Sequence, residues 1–375
     1  MTAHRVIAGE IRVGHPLPWN VFDIKGTLLL RRGFVIDSQR ALDRLIEDGM
    51  YLNEKDTPPA PRPAPEPERA SALQLLMDAR RLFGQPIQDL NSVRDFPARV
   101  RRIAQLVHAA CETNADVAIA TIMLLQEDSY TVRHHINTAV ISNLLCRAMA
   151  MPEDMTKVIT AAALTMNVSM YEVQDKLNDV KGPLSDKLRS LIAAHPEQSE
   201  QRLRKLGVED KLWLRSVEHH HECENGAGYP KRLAGDDIEQ GAKVVALADR
   251  YCAQVSVRNY RSTRAPGNVL KDIYLEKGAE INAIIAAFLI RIVSIYPPGT
   301  IVRLRNGEVA VVVEASESPD APVAYAVLGT SGAALGVPAK RDTGRDDLKI
   351  IDVLTVDKVD FPIQMSRLWG SAARL

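Results

Sequence analysis

The chain has no surplus of either charge. Its 375 residues hold 47 lysines and arginines against 47 aspartates and glutamates. This argues against a role on nucleic acid or a membrane surface through a broad basic field. Paired cysteines are also missing. Cys111, Cys146, Cys223 and Cys252 show no CxxC or repeating spacing. They read as reduced thiols of a cytoplasmic, bacterial-style protein, not as a disulfide framework or a zinc knuckle. No run approaches the about 18 continuous apolar residues that a membrane crossing requires. The opening "MTAHRVIAGEIRVG" has no apolar stretch of signal-peptide length. No repeat of solenoid length is visible. What remains is a cytoplasmic chain, 46% apolar, too long for one ordinary domain and sized for two or three.

Punctuation divides it. Residues 58–67, "PPAPRPAPEP", are rich in a residue that lacks a backbone donor and favours extended polyproline II, so 56–70 reads as a stiff linker. Residues 1–55 before it read as a small α+β module. "FDIKGTLLLRRGFVID" has short apolar runs broken at Lys25-Gly26 and Arg32-Gly33, the pattern of β-hairpins. Ser38 then caps a helix carrying Leu42, Leu45 and Ile46, with Gly49 as its stop. Residues 71–298 are nearly all helical in pattern. Ile136, Ala139, Val140 and Leu144 share one face. Pro152-Glu153-Asp154 makes a good first turn. "DDIEQGAKVVALADRYCAQVS" opens with acidic capping residues before Val245, Ala248 and Tyr251. From 299 to 360 the pattern alternates, and Asn306-Gly307 signals a two-residue hairpin. The expected fold is mainly α: a helical bundle flanked by a small N-terminal β-rich module and a small C-terminal antiparallel β module.

Histidine is the concentrated chemistry. His4, His15 and His108 stand alone. The other six of the nine fall in the helical region as His134-His135, His195-Pro196 and His219-His220-His221. Asp249 follows on the next helix, facing the same way as its apolar positions, where a buried carboxylate is costly without a partner. Imidazoles with a carboxylate suit iron, manganese or zinc. Scattered helix-face residues would give the same spacing, and a cation at 219–221 would also suit a helix C-terminus.

The stretches "HHECENGAGYP" (220–230), "ADRYCAQVSVRNYR" (248–261) and "YPPGTIVRLRNGEVAVVV" (296–313) closely resemble the HD-GYP domain family. This is a branch of the HD phosphohydrolases, helical domains that bind two or three metal ions and hydrolyse the bacterial second messenger cyclic di-GMP. The resemblance runs from about Tyr130 to Val313. The N-terminal module is similar, more loosely, to a small domain that precedes HD-GYP domains in some proteobacterial proteins. By this resemblance His134, His195, His220, His221 and Asp249 are the metal ligands. Gly226, Gly228, Tyr229 and Pro230 form the nucleotide-facing loop. Arg258 and Arg261 fall where cations meet the nucleotide phosphates, a task suited to the guanidinium fork. His135 and His219 match no ligand.

The resemblance breaks at the pair that names the family. Met166 and Asn167 stand where His-Asp is expected, and Ser169-Met170 where Gly-Lys is expected. The spacings from 134 to 166 and from 167 to 195 keep the family's register. The missing aspartate would bridge two metals about 3.5–4 Å apart around a shared hydroxide. Asparagine offers one neutral oxygen instead, and methionine is a poor ligand for iron(II) or manganese(II). Tyr130 replaces the glutamate of members with a third metal. The expectation is a degenerate member that binds cyclic di-GMP, or a partner protein through its GYP surface, with weak or no hydrolysis. It would hold at most one, or a weakly bound, iron or manganese ion. An active phosphodiesterase with a rebuilt, mononuclear site is the alternative. The terminal modules are left as interaction surfaces or parts of a homodimer interface.

Overall fold

The structure, a computed structural model, describes residues 3–5, 11–47, 51–53, 70–84, 90, 93–178, 182, 185–256, 264–316, 318–359 and 361–375. The chain divides into two compact units, Met1–Arg69 and Ala70–Leu375. The proline-rich run, Gly49, Arg258 and Arg261 lie outside the described residues.

In the first unit, strands β1 (Ala3–Arg5), β2 (Val21–Phe22), β3 (Leu28–Leu30) and β4 (Tyr51–Asn53) form an antiparallel sheet ordered β1-β4-β2-β3. Asp23 builds the first hairpin, accepting the Lys25 and Thr27 N–H groups at 2.8 Å each. The second expected hairpin does not form. The chain after Arg32-Gly33 turns back on 14–17 and makes a single bridge, Pro16 to Val35. Pro16 has no N–H with which to extend a ladder there. Ser38 caps α1 (Gln39–Glu47) as the sequence indicates, accepting the Ala41 N–H at 3.3 Å. Ile11, Leu17, Val21, Ile36 and Leu42 make this unit's small core.

The second unit is helical in its first two thirds. Helices α2 (Ala72–Gly84), α3 (Phe96–Thr113), α4 (Ala115–Leu124), α5 (Tyr130–Ala148), α6 (Glu153–Thr165), α7 (Tyr171–Asn178), α8 (Asp186–Lys205), α9 (Lys211–Glu218), α10 (Gln240–Val255), α11 (Pro266–Glu276) and α12 (Ala283–Val293) share one large core. None of the described helices is long and apolar enough to cross a membrane. Helix α5 is the axis. Residues 131–146 are buried on every side, not along the single stripe that the pattern indicates. A helix in that position must pair its polar side chains inside the protein. Asn137 meets Arg80 at 3.4 Å, Thr138 donates to the His134 carbonyl at 2.8 Å, and Asn143 donates to Thr160 at 2.9 Å. Helices α6, α9 and α10 converge at Gly241, where a Cβ would stand 2.3 Å from the Ser216 hydroxyl and 3.1 Å from Ile159. The acidic residues before α10 do not cap it. Asp236 and Asp237 sit in a separate 3-10 turn, and the helix starts at Gln240.

The last third is a five-stranded antiparallel sheet within the same compact unit: β5 (Ile301–Leu304), β6 (Val309–Glu314), β7 (Val323–Leu328), β8 (Ala334–Asp342) and β9 (Ile350–Leu354), ordered β8-β7-β6-β5-β9. The Asn306-Gly307 hairpin is present but one residue longer than expected. Leu304 accepts the Gly307 N–H and donates to the Glu308 carbonyl, both at 2.9 Å, so three residues form the loop. Helix α13 (Met365–Trp369) closes the sheet, with the Trp369 indole donating to the Val313 carbonyl at 3.0 Å.

The sheet meets the bundle at Gly299. Its φ is +88°, and a Cβ would lie 2.7 Å from the Ala120 Cα in α4. Gly332 shares the left-handed conformation at +81° but faces open space. Gly332→Ala is expected to cost about 1–3 kcal/mol from backbone strain. Gly299→Ala should cost a further about 1–3 kcal/mol from the clash with α4. Urea unfolding of both variants checks this, and equal losses would show that the Ala120 contact is no constraint.

Candidate metal centre and glycine loop

His195 lies inside α8, followed by Pro196. A proline has no N–H for the carbonyl four residues back, which leaves the Ile192 oxygen free. The His195 Nδ1 takes it, at 2.5 Å. Ser169 reaches the same turn, donating to the His195 carbonyl at 3.1 Å and meeting the Ser199 hydroxyl at 2.9 Å. His220 is placed by the end of α9, its Nδ1 bonded to the Val217 carbonyl at 2.6 Å. A carbonyl only accepts, so both Nδ1 atoms are the protonated ones and both Nε2 atoms carry lone pairs. These two Nε2 atoms face each other at 3.1 Å. His221 completes the group, and the ligand atoms of His195, His220 and His221 all lie within 4.8 Å of one another.

The loop that follows is held from two sides. The buried Glu222 carboxylate accepts the Lys231 N–H at 2.6 Å and the Leu233 N–H at 3.0 Å. Gly228 touches the start of the same loop, where a Cβ would stand 2.5 Å from the His221 oxygen, the Glu222 Cα and the Cys223 nitrogen. Only glycine fits. Tyr229 donates its backbone N–H to the His221 carbonyl at 3.1 Å and stacks on the His221 ring at 4.8 Å. The Tyr229-Pro230 peptide is cis, and Gly226 has φ +72°.

His134 and Asp249 form a second pair, with His134 Nε2 at 2.8 Å from the Asp249 carboxylate. Burial pushes the Asp249 carboxyl up, but the His134 hydrogen bond and the neighbouring imidazoles outweigh it and hold the group well below the usual carboxylate range. Tyr130 stacks on His134 at 5.2 Å. Asp249 also joins His220 and His221 in the wall of a cavity of about 300 Å³ that includes Lys243, Arg250 and Glu280. Lys243 is bonded to Glu224 at 2.9 Å and Arg250 to Glu280 at 3.3 Å, so both cations are paired.

Met166 and Asn167 are buried at the end of α6. The turn is fixed on both sides, by the Trp213 indole donating to Thr165 at 2.7 Å and by the bond from Ser169 to the His195 carbonyl of α8. Met170 is buried in the 3-10 turn Val168–Met170. The Asn167 Oδ1 is buried without a hydrogen-bond partner, as is the His134 Nδ1. The three clustered imidazoles, two with bare Nε2 lone pairs, are a donor set that fits a cation. His135 is fully buried against Phe83 and Tyr171, its Nδ1 bonded to the Thr131 carbonyl at 2.7 Å. His108, isolated in sequence, is also buried, 3.2 Å from Asn143. The sequence reading missed Glu222, Ser169 and Pro196 as organisers. Glu222 carries no periodic signal, and the role of Pro196 shows only in the helix hydrogen bonds.

A helical bundle with paired histidines and an aspartate on facing helices is the architecture of an HD-type domain, and residues 100–283 match the HD domain family. That match, together with the cyclic di-GMP phosphodiesterases among the relatives, supports the HD-GYP family for this chain. It is 27% identical over 312 residues to the cyclic di-GMP phosphodiesterase PA4108 of Pseudomonas aeruginosa, covering 76% of this chain and 75% of that one. It is 30% identical over 133 residues to the 3'3'-cGAMP-specific phosphodiesterase 3 of Vibrio cholerae, covering 36% of this chain and 29% of that one. The fold matches Bd1817, an HDG"Y"P protein from Bdellovibrio bacteriovorus, with a TM-score of 0.51 at 16% identity over 78% of this chain and 99% of that one.

Burial sets the protonation of the cluster. Desolvation, then His220, lowers His195 to about 3. Desolvation, then His134, lowers His135 to about 3. His220 and His221 are lowered by desolvation as well. The folded state therefore holds them neutral, whereas the unfolded chain protonates them near about 6.5. Their stabilising contribution is complete above that pH and is lost as pH falls toward 3. Asp116, raised to about 6 by burial, runs the other way, but it is a single group. The metal-free chain should lose stability between pH 7 and pH 5, before ordinary carboxylates titrate. Urea midpoints across that window test this, and a flat profile would contradict neutral buried imidazoles.

Proposed function

We propose that the chain is a degenerate HD-GYP protein of cyclic di-GMP signalling. It binds the cyclic dinucleotide beside its glycine loop, holds at most one divalent ion on His195, His220 and His221, and hydrolyses the ligand weakly or not at all. The observation that carries this reading is the three-histidine cluster, with His195 and His220 buried and His221 half-buried, in a chain that has Asn167 at the aspartate position of the resemblance. The asparagine presents a lone uncharged acceptor where a bridging carboxylate is needed to hold two dications together. The relatives' substrates are cyclic dinucleotides, by name cyclic di-GMP and 3'3'-cGAMP.

A bound ion would supply a Lewis acid to a phosphate oxygen. The chain's own groups do the rest. His195 and His220 are oriented by backbone carbonyls. Tyr229, stacked on His221, offers a ring face beside the cluster, suited to a purine base. Arg258 and Arg261 are assigned to the phosphates, and the GYP surface is also where a signalling partner or a second copy of the chain would dock. A cytoplasmic location accords with four free cysteines. The active reading keeps one support, since three imidazoles leave a coordination position open to water.

Calorimetry with cyclic di-GMP, beside a turnover assay on metal-loaded protein, separates binding from hydrolysis. Binding with negligible turnover is expected, whereas turnover at the rate of an intact relative would sink the degenerate reading. Replacing Arg258 and Arg261 by alanine should weaken binding at least tenfold, since each charge-assisted contact is worth about 1.5–3 kcal/mol. Unchanged affinity would remove them from the site.

Restoration is the stronger test. Met166→His with Asn167→Asp adds a bridging carboxylate and a further imidazole to the five donors already present. The folded double variant should bind two ions per chain and gain turnover, and Met170→Lys should add to the gain. If the folded variant binds no more metal and hydrolyses nothing, Met166-Asn167 is not the defect.

A further inference from the structure

The lone pairs of His195 and His220 identify the kind of ion. Both Nδ1 protons are committed to carbonyl oxygens, Ile192 and Val217. The two bare Nε2 atoms stand 3.1 Å apart. Facing lone pairs at that distance repel unless a cation lies between them. Two nitrogens each about 2.0–2.1 Å from one tetrahedral ion would stand about 3.3 Å apart. The pair is therefore set close to the spacing of two ligands on one small ion. His221 brings a third imidazole within reach of both.

Carboxylate is missing from this group. Among the described residues, the cluster contains histidine alone. Asp249 is engaged by His134 at 2.8 Å. Asn167 is neutral. Manganese(II) stands lowest in the Irving–Williams order and favours oxygen ligands, with iron(II) next. Imidazole suits iron as well as zinc, but both iron(II) and manganese(II) stand below zinc in affinity, and zinc accepts three protein ligands with an open fourth position. The Nδ1 contacts are the outer-shell partners that a zinc-bound imidazole needs.

We infer that His195, His220 and His221 form a mononuclear zinc-class site that selects Zn²⁺ over Mn²⁺ and Fe²⁺, in place of the iron or manganese ion expected from the sequence. The inference rests on the reading that one ion binds at these three histidines. Pro196 is its positioning residue. By withholding an N–H from the Ile192 carbonyl, it leaves that oxygen to fix the His195 tautomer.

The test uses the full chain, stripped with a chelator and dialysed anaerobically against equal concentrations of Zn²⁺, Mn²⁺ and Fe²⁺, with elemental analysis. About one zinc per chain, with little manganese or iron, is expected from the ligand preference. Titration with Co²⁺ should give the intense visible absorption of tetrahedral cobalt, bleached by zinc. His220→Gln and His221→Gln, each checked for folding by circular dichroism, should weaken zinc binding by more than the about 10–100-fold typical of losing an outer-shell partner. Pro196→Ala should weaken it by about tenfold and shift the His195 ring-nitrogen resonances toward a mixture of tautomers. Cys223→Ser should retain the ion. Comparable manganese or iron occupancy, octahedral cobalt, loss of the ion in Cys223→Ser, its retention in both histidine variants, or no bound ion would each overturn the zinc assignment. Two ions per chain would overturn the one-metal reading beneath it. Cyclic di-GMP calorimetry on the metal-free chain tests the nucleotide reading by itself.

Discussion

An imidazole buried in a helical bundle has to stay neutral and has to give its single N–H to something. Most of the site follows from that constraint. His195, His220 and His135 all meet it in the same way, each bonding Nδ1 to a backbone carbonyl three or four residues earlier. A helix interior normally has no carbonyl to spare. Pro196 frees one in α8, the C-terminal end of α9 supplies another, and Thr131 at the first turn of α5 shares its own. Each solution turns the opposite nitrogen, Nε2, away from its own helix, and for His195 and His220 it faces the partner ring.

The glycine loop belongs to the same economy of contacts. Its backbone N–H groups have no helix or strand to pair with, and Glu222 takes two of them. Gly228 lets the loop lie directly on the backbone of 221–223, which brings Tyr229 onto His221. His221 and the glycine loop are therefore one structural piece. The turn at 166–170 is anchored by its neighbours Thr165 and Ser169, which bond to Trp213 of α9 and to His195 of α8.

Much of this was legible in the order of residues. The histidines, Asp249 and the GYP loop are local strings. Elements that depend on distant partners were harder to read. The hairpin after Arg32 did not form because 33–36 bonds back to 14–17 instead of to β3. Strand β8, "ALGVPAKRD", was not foreseen because its proline and glycine argue against a strand, which an edge position tolerates. The full burial of α5 was not foreseen either, because its polar residues pattern like a solvated face until their partners on other helices are known.

The sequence by itself determined the helical class and the resemblance to the HD-GYP family, since these reside in residue identity and spacing. Only the tertiary structure decided which donors meet. It commits Asp249 to His134, sets the His195 and His220 nitrogens face to face, and leaves three imidazoles as a group without a carboxylate. Those outcomes depend on ångström distances between α8, α9 and α10. Such distances are set by how helices meet at points such as Gly241, where the absence of a single Cβ allows the close approach.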